Sequence, residues 1–330
     1  MTMTEAQATT AAPLAPIDTD IGVVLKAAGR ALTDLDLAEV TGLFRTHGAV
    51  LLRGFPHDRA AFVAFSGRLT DDFSNYQGGG LRFAALDREA IDGMDTLMTT
   101  TGHSQSFGLP LHGEMYYLAQ PPQLLWFYAD KAPVAKGQTT IADAAALYDA
   151  LAPATQAWFR DNEILYRRSL VDGDWQATFL TDSLEEAAAF CAKGGLQMDY
   201  DAEAGVLRTD YACSALRQRG DRTLFINNIL FIYLAEMVFK NGWAKKNLAG
   251  LRSADCPIVV RAADGQPLPA EVMGDVKAAS ERMTRKIPWR DGDIAMLDNH
   301  RILHGRADTD GGERSILVRL GNPKPAGAAA

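Results

Sequence analysis

The chain has 330 residues, 47% of them hydrophobic and 22% charged, an ordinary balance for a soluble globular protein with one sizeable core. Its net charge of −8, with no basic stripe to neutralise phosphates, argues against a nucleic-acid partner. Cys191, Cys213 and Cys256 are odd in number and lack C-x-x-C spacing, which fits free thiols in a reducing compartment better than disulfides or a zinc site. No apolar run reaches membrane length. Residues 1–16 are rich in Ala and Thr without a basic start or an apolar h-region, so they read as a disordered tail. The expectation is a cytoplasmic protein without a membrane partner, with homo-oligomerisation left open. It divides into a tail (1–16), a single domain (17–322) and a flexible end (323–330).

In chain order, residues 35–44 carry apolar side chains at helical spacing (Leu37, Val40, Leu43, Phe44) and stop at Gly48. Residues 49–52 are a short apolar run between Gly48 and Gly54, a buried strand. Residues 60–69 are helical again. Residues 71–110 show little periodicity and predict loop. Their Gln77-Gly78-Gly79-Gly80 run lacks the Lys-Ser/Thr of a phosphate loop. Strands are predicted at 124–129 and 138–142, then helix over 144–151 and 154–160 with a break at Pro153. A strand at 164–170, a helix at 184–193 ended by Gly194-Gly195, and strands at 205–211 and 222–225 follow. Helices at 231–240 and 270–285 precede the last strands, 293–297 and 314–320. Many short strands with a long helical insertion before the final pair predict an α+β domain built on a jelly-roll β-sandwich, with flanking helices.

The chemistry-bearing motif is His112-Gly113-Glu114, with His304 far downstream in His300-Arg301-Ile302-Leu303-His304-Gly305-Arg306. In an extended segment, residues i and i+2 share a face, so His112 and Glu114 can reach one ion. Two imidazoles and a carboxylate on one side of a metal leave positions open for a co-substrate and dioxygen. The same three ligands also suit a zinc hydrolase. A catalytically silent sandwich is the third reading, and the tripeptide alone does not decide among them.

The context decides more. Leu111 to Tyr117, Pro121-Pro122, Leu125-Trp126-Phe127, Gly137-Gln138-Thr139-Thr140, Trp289 to Asn299, His304-Gly305-Arg306 and Glu313 to Arg319 stand in one order. Together with Thr46 to Phe55 near the start, they resemble the taurine/2,4-D dioxygenase family of Fe(II)/2-oxoglutarate oxygenases from about residue 40 to 320. The resemblance is weak between about 165 and 285. It implies a double-stranded β-helix core and Fe(II) held by His112, Glu114 and His304. It also implies 2-oxoglutarate and O2 as co-substrates. His300 is the competitor for His304, and the His-Gly-Arg match favours His304.

The family places an arginine for the co-substrate at Arg319, 15 residues past His304, and a threonine at Thr139, 27 residues past His112. Ser315 stands where many members have another arginine, and Arg314 substitutes for it. Alternation puts Ser315, Leu317 and Arg319 on one strand face and Arg314, Ile316 and Val318 on the other. Tyr116 and Tyr117 are candidates to line the substrate pocket, and Tyr76 and Arg82 to meet a carboxylated substrate from a lid. The carboxylate of Glu114 argues against halogenation. The implied activity is hydroxylation of an unactivated C–H of a small amino-acid-like or carboxylated metabolite, with 2-oxoglutarate converted to succinate and CO2. Desaturation, epoxidation and oxidative rearrangement remain open. For residues 167–282 two readings stand, a lid over the metal and a peripheral layer.

Overall fold

Alternation along one strand explains the layering. In Leu124–Lys131, Leu125, Phe127 and Ala129 enter one apolar cluster, while Leu124, Trp126 and Tyr128 enter another. Its neighbours repeat the split: Leu297 against Met296, Leu51 against Leu52, and Val318 against Leu317. A sheet buried on both faces therefore sits between two layers. A computed structural model of the chain describes residues 14–56, 58–79, 88–103, 105–247, 252, 255–310 and 312–324.

The larger sheet has the order Val23–Lys26, Ala49–Arg53, Ile294–Asp298, Leu124–Lys131, Ser315–Asn322, Met94–Thr99 and Ala90–Ile91, with Asp72–Phe73 also paired to Ser315–Asn322. Two helices cover its outer face. Leu37–His47 starts at Asp36, whose side chain accepts from the Ala38 N–H, and ends at Gly48 in the left-handed conformation. Arg59–Leu69 starts at Asp58 and lays Phe62 flat on Tyr128, ring centroids 5.2 Å apart.

The inner face meets a smaller sheet ordered Arg285–Lys286, Thr139–Asp143, Ile302–Arg306 and Leu109–His112. Ile141 and Leu303 of this sheet share a cluster with Leu125, Phe127 and Val318. The Phe127 ring lies 5.4 Å from that of His304.

Between Thr139–Asp143 and Arg285–Lys286 runs the insertion. The helices expected there are present, among them Leu184–Lys193, Ile229–Lys240 and Ala270–Met283. The description "helical" needs correction. The insertion has its own four-stranded antiparallel sheet, ordered Gln197–Asp201, Val206–Cys213, Ile164–Val171 and Ile258–Ala262. Residues 71–110 are a second correction. The described part contains the strands Met94–Thr99 and Leu109–His112, whose Met-Asp-Thr-Leu-Met-Thr and Leu-Pro-Leu-His sequences offer no clean alternation. At the start, the Ala15 carbonyl already accepts from the Val24 N–H, inside the stretch expected to be a tail. Residues 1–13 and 325–330 lie outside the described residues. Among the described residues, no helix is long and apolar enough to cross a membrane.

Because Phe62 is fully buried between helix and sheet, Phe62→Ala should lower stability by about 3–5 kcal/mol. Chemical denaturation would show this as a lower midpoint with an unchanged slope. A loss below about 1 kcal/mol would mean that the helix does not rest on Tyr128.

Candidate active site

The two histidines meet by strand pairing. His112 ends Leu109–His112 and lies directly opposite His304 in Ile302–Arg306, with ring centroids 4.3 Å apart. His304-Gly305-Arg306 contains a register irregularity, and the glycine has a steric reason. A Cβ at Gly305 would stand 2.4 Å from the Leu109 carbonyl oxygen and 2.8 Å from Thr140 Oγ1. Only glycine lets the strands approach there.

Glu114 is placed by Asn299. The Asn299 Oδ1 accepts from the Glu114 N–H at 2.7 Å, and its Nδ2 donates to the carbonyls of Glu114 (3.0 Å) and Pro122 (2.7 Å). This side chain, 0% exposed, acts as a substitute strand for the turn after His112. On the other side, the Gly113 N–H donates to the carbonyl of Asn227, from the insertion. A Cβ at Gly113 would meet the Tyr116 ring at 2.4 Å. Next in the chain, Met115 holds φ 61°, a left-handed conformation costing about 1–3 kcal/mol for a non-glycine residue.

One ligand atom each from His112, Glu114 and His304 lie within 4.8 Å of one another, and all three residues are buried. The donor set fits a divalent metal. The His112 Nδ1 stands 2.8 Å from the Pro110 carbonyl, which can only accept, so Nδ1 carries the proton and Nε2 presents its lone pair. Burial, then neighbouring His304, push the His112 pKa down to about 3, so the ring is neutral at physiological pH. Glu114 feels burial first, which would raise its pKa. The Arg88 guanidinium and His304 outweigh that and hold it well below the carboxylate range. Its Oε2 accepts from Arg88 Nη2 at 2.6 Å and faces His304 Nε2 at 3.5 Å, and its Oε1 accepts from the Tyr76 hydroxyl at 3.2 Å.

Two cavities flank the triad. One is lined by His112, His304, Thr139, Arg306 and Arg314. Thr139 Oγ1 accepts from Trp289 Nε1 at 3.1 Å, which leaves its own proton free to donate. Arg314 donates through Nε to the Gly137 carbonyl at 2.8 Å. Burial and then the nearby Arg306 lower its pKa to about 9, and it stays cationic at neutral pH. The other cavity is lined by His112, Glu114, Tyr76 and Tyr117, and by Asn228, Phe231, Ile232 and Ile258 of the insertion. The Phe231 ring sits 5.0 Å from that of His112. Of the two readings of 167–282, these contacts put part of the segment against the metal ligands.

The model of the taurine catabolism dioxygenase TauD, TfdA family matches residues 10–320. The chain belongs to the TauD/TfdA family. It is therefore an Fe(II)/2-oxoglutarate-dependent oxygenase, and the hydrolase and silent-sandwich readings fall away. It is 25% identical to a clavaminate synthase-like protein of Arabidopsis thaliana over 303 residues, 84% of this chain and 82% of that protein. It is 26% identical to the dapdiamide synthesis protein DdaC of Enterobacter agglomerans over 282 residues, with 84% and 82% covered. Among solved structures, PvcB of Pseudomonas aeruginosa aligns with TM-score 0.52 at 15% identity, covering 98% of this chain and 95% of that one. AAD-2, solved with Mn(II) and N-oxalylglycine, aligns with TM-score 0.52 at 13% identity, covering 95% and 98%.

Within this TauD/TfdA site, several sequence expectations need correction. Arg319 does not line the cavity that holds Thr139 and Arg314. It points to the outer face, donating to Ser66 Oγ at 2.6 Å and the Val63 carbonyl at 3.2 Å, with its guanidinium 3.6 Å from the Phe73 ring centroid. Side chains alternate along the strand as expected, but the inward face is that of Arg314, Ile316 and Val318. Ser315 shares the outward side and donates to Asp130 Oδ2 at 3.1 Å. Tyr116 also turns away from the cavity that holds His112 and Glu114. Its hydroxyl donates to the Asn299 carbonyl at 3.0 Å, while Tyr117 enters the cavity. His300 faces the Pro121 carbonyl, 3.1 Å from its Nε2. Arg82 lies outside the described residues.

Sequence reasoning missed Arg88, Asn299 and Asn228. Arg88 comes from the same aperiodic stretch as Arg82, and no spacing distinguishes the two. Arg306 was seen only as a motif letter. It is buried, and donates to the carbonyls of Gly102 (2.7 Å), Gln105 (3.2 Å) and Phe107 (2.6 Å), tying the preceding loop to the strand of His304.

If Asn299 aligns Glu114, Asn299→Ala should weaken Fe(II) binding about 10–100-fold while the chain stays folded. Anaerobic metal titration with circular dichroism measures both. Unchanged affinity would show that the turn holds its shape without the clamp.

Proposed function

We propose that His112, Glu114 and His304 hold Fe(II), that Arg314 and Thr139 receive the distal carboxylate of 2-oxoglutarate, and that the enzyme hydroxylates an unactivated C–H bond of a small amino-acid-like or carboxylated metabolite. The two facing sheets are, on this reading, the double-stranded β-helix of the family. The observation that carries it is the convergence of three buried ligand atoms beside a cavity with an inward arginine and a hydroxyl whose proton is unclaimed. The balance is R–H + 2-oxoglutarate + O2 → R–OH + succinate + CO2. Iron, when bound, supplies the oxidation chemistry that couples the two halves.

The chain's own residues bind, orient and exclude water. Arg314 offers a planar fork to a carboxylate, and Thr139 adds a directed hydroxyl. Arg88 neutralises Glu114 and fixes the side chain, so the carboxylate stays ionised despite burial. Phe127 and Phe231 flank the imidazoles with apolar surface and keep bulk water from the reacting centre. The inward arginine comes from the core sheet, whereas the second cavity is walled partly by the insertion. Co-substrate binding and substrate choice are thereby assigned to different parts of the chain.

The test is succinate release with Fe(II), ascorbate and 2-oxoglutarate. His304→Ala should abolish it, and full activity in that variant would remove the triad. A charge-assisted contact is worth roughly 1.5–3 kcal/mol, so Arg314→Ala should raise the 2-oxoglutarate KM by roughly one to two orders of magnitude. Arg319→Ala should lower the melting temperature and leave that KM within about twofold. A reversal of these two responses would restore Arg319 as the co-substrate arginine.

A further inference from the structure

Beside Tyr117 the insertion buries a cation that no acidic residue neutralises among the described residues. Arg168, in the strand Ile164–Val171, is 2% exposed. Its Nε donates to Thr209 Oγ1 and its Nη1 to the Gly78 carbonyl, both at 2.9 Å and both neutral acceptors. Its Nη2 is buried without a hydrogen-bond partner. Among the described residues the groups that favour its charge are Tyr117 and Cys191, neither of them a carboxylate. A guanidinium removed from water without a counter-charge is strongly destabilising, and such groups persist where a ligand brings the charge.

Two further groups nearby are unmatched. The Tyr117 hydroxyl, whose ring centroid lies 5.5 Å from the Arg168 guanidinium carbon, is buried without a partner. Asn228 Oδ1 is a buried acceptor without a donor. Tyr117 and Asn228 line the cavity that also holds His112 and Glu114. So does Ile258, which stands opposite Arg168 in the neighbouring strand. The unmet groups are thus two donors, one of them cationic, and one acceptor. A carboxylate next to an amino group presents the complement.

We propose that the primary substrate is an amino acid or amino-acid derivative whose carboxylate is received by Arg168 and Tyr117 and whose amino group is received by Asn228, with its side chain directed towards His112 and Glu114. This rests on the oxygenase reading above and narrows its substrate class. In that arrangement the oxidised carbon belongs to the side chain, because the backbone end is held at the insertion.

The experiment is a thermal-shift and calorimetric titration of the protein loaded anaerobically with Fe(II) and 2-oxoglutarate. The probes are the L-amino acids and the matching amino-acid amides. At least one amino acid should raise the melting temperature, and its amide should not. Tyr117→Phe deletes only an unpaired oxygen and should keep the fold. It and Arg168→Lys, which keeps the charge without the fork, should each weaken binding of the responding amino acid by about tenfold or more. No response to any amino acid, an equal response to the amides, or an unchanged affinity in Arg168→Lys would overturn the proposal. Failure of the oxygenase reading would show separately, as absent succinate release from the parent protein whatever the thermal shifts.

Discussion

The pairing of Leu109–His112 with Ile302–Arg306 is the constraint on which the rest depends. It brings together two imidazoles separated by most of the chain, and it does so through backbone register rather than through any side-chain attraction. A slip of one residue would turn one ring to the opposite face. The close approach at Gly305 and the ties from Arg306 to the preceding loop both resist such a slip. Two buried imidazoles gain little from each other. Their juxtaposition is held by the sheet and serves the ion they can share.

Around this pair, charge is deployed unevenly. Glu114 is the one acidic member of the triad, and it already has Arg88 as a partner. The cavity beside Thr139 adds Arg306 and Arg314, and the insertion adds Arg168. A protein with a net charge of −8 thus concentrates positive charge around its reaction centre. The acidic surplus lies elsewhere, so an anion meets attraction only once inside. Burial lowers the Arg314 and Arg306 pKa values to about 9 and about 10, which leaves both charged at neutral pH. These guanidiniums are poised for anions without having to change protonation state.

Legibility in the sequence followed the range of the physics involved. The helices Leu37–His47 and Leu184–Lys193 and the strand Ala49–Arg53 were readable because periodicity, capping residues and glycine stops are local. The candidate ligands were readable for the same reason, since H-x-E spacing acts within three residues. The choice between Arg314 and Arg319 was not. Both faces of Ser315–Asn322 are apolar and buried, so hydrophobicity does not say which one looks inward. Spacing from His304 pointed to Arg319, which the structure turns to the outer face. Arg168 was equally hidden, because a buried arginine and a surface arginine look alike until the strands around them are paired.

The insertion's grip on the metal turn bears on how this scaffold can diversify. Asn227 supplies the carbonyl for the Gly113 N–H, and Phe231, four residues on, supplies the ring against His112. The segment that walls the second cavity is thus also part of the scaffold of the candidate metal ligands. Exchanging the whole insertion for that of a relative would alter selectivity and ligand alignment in one step. A graft that keeps residues 227–231 and replaces the four-stranded sheet behind them separates the two, and marks where recombination between such enzymes can join without losing the reaction centre.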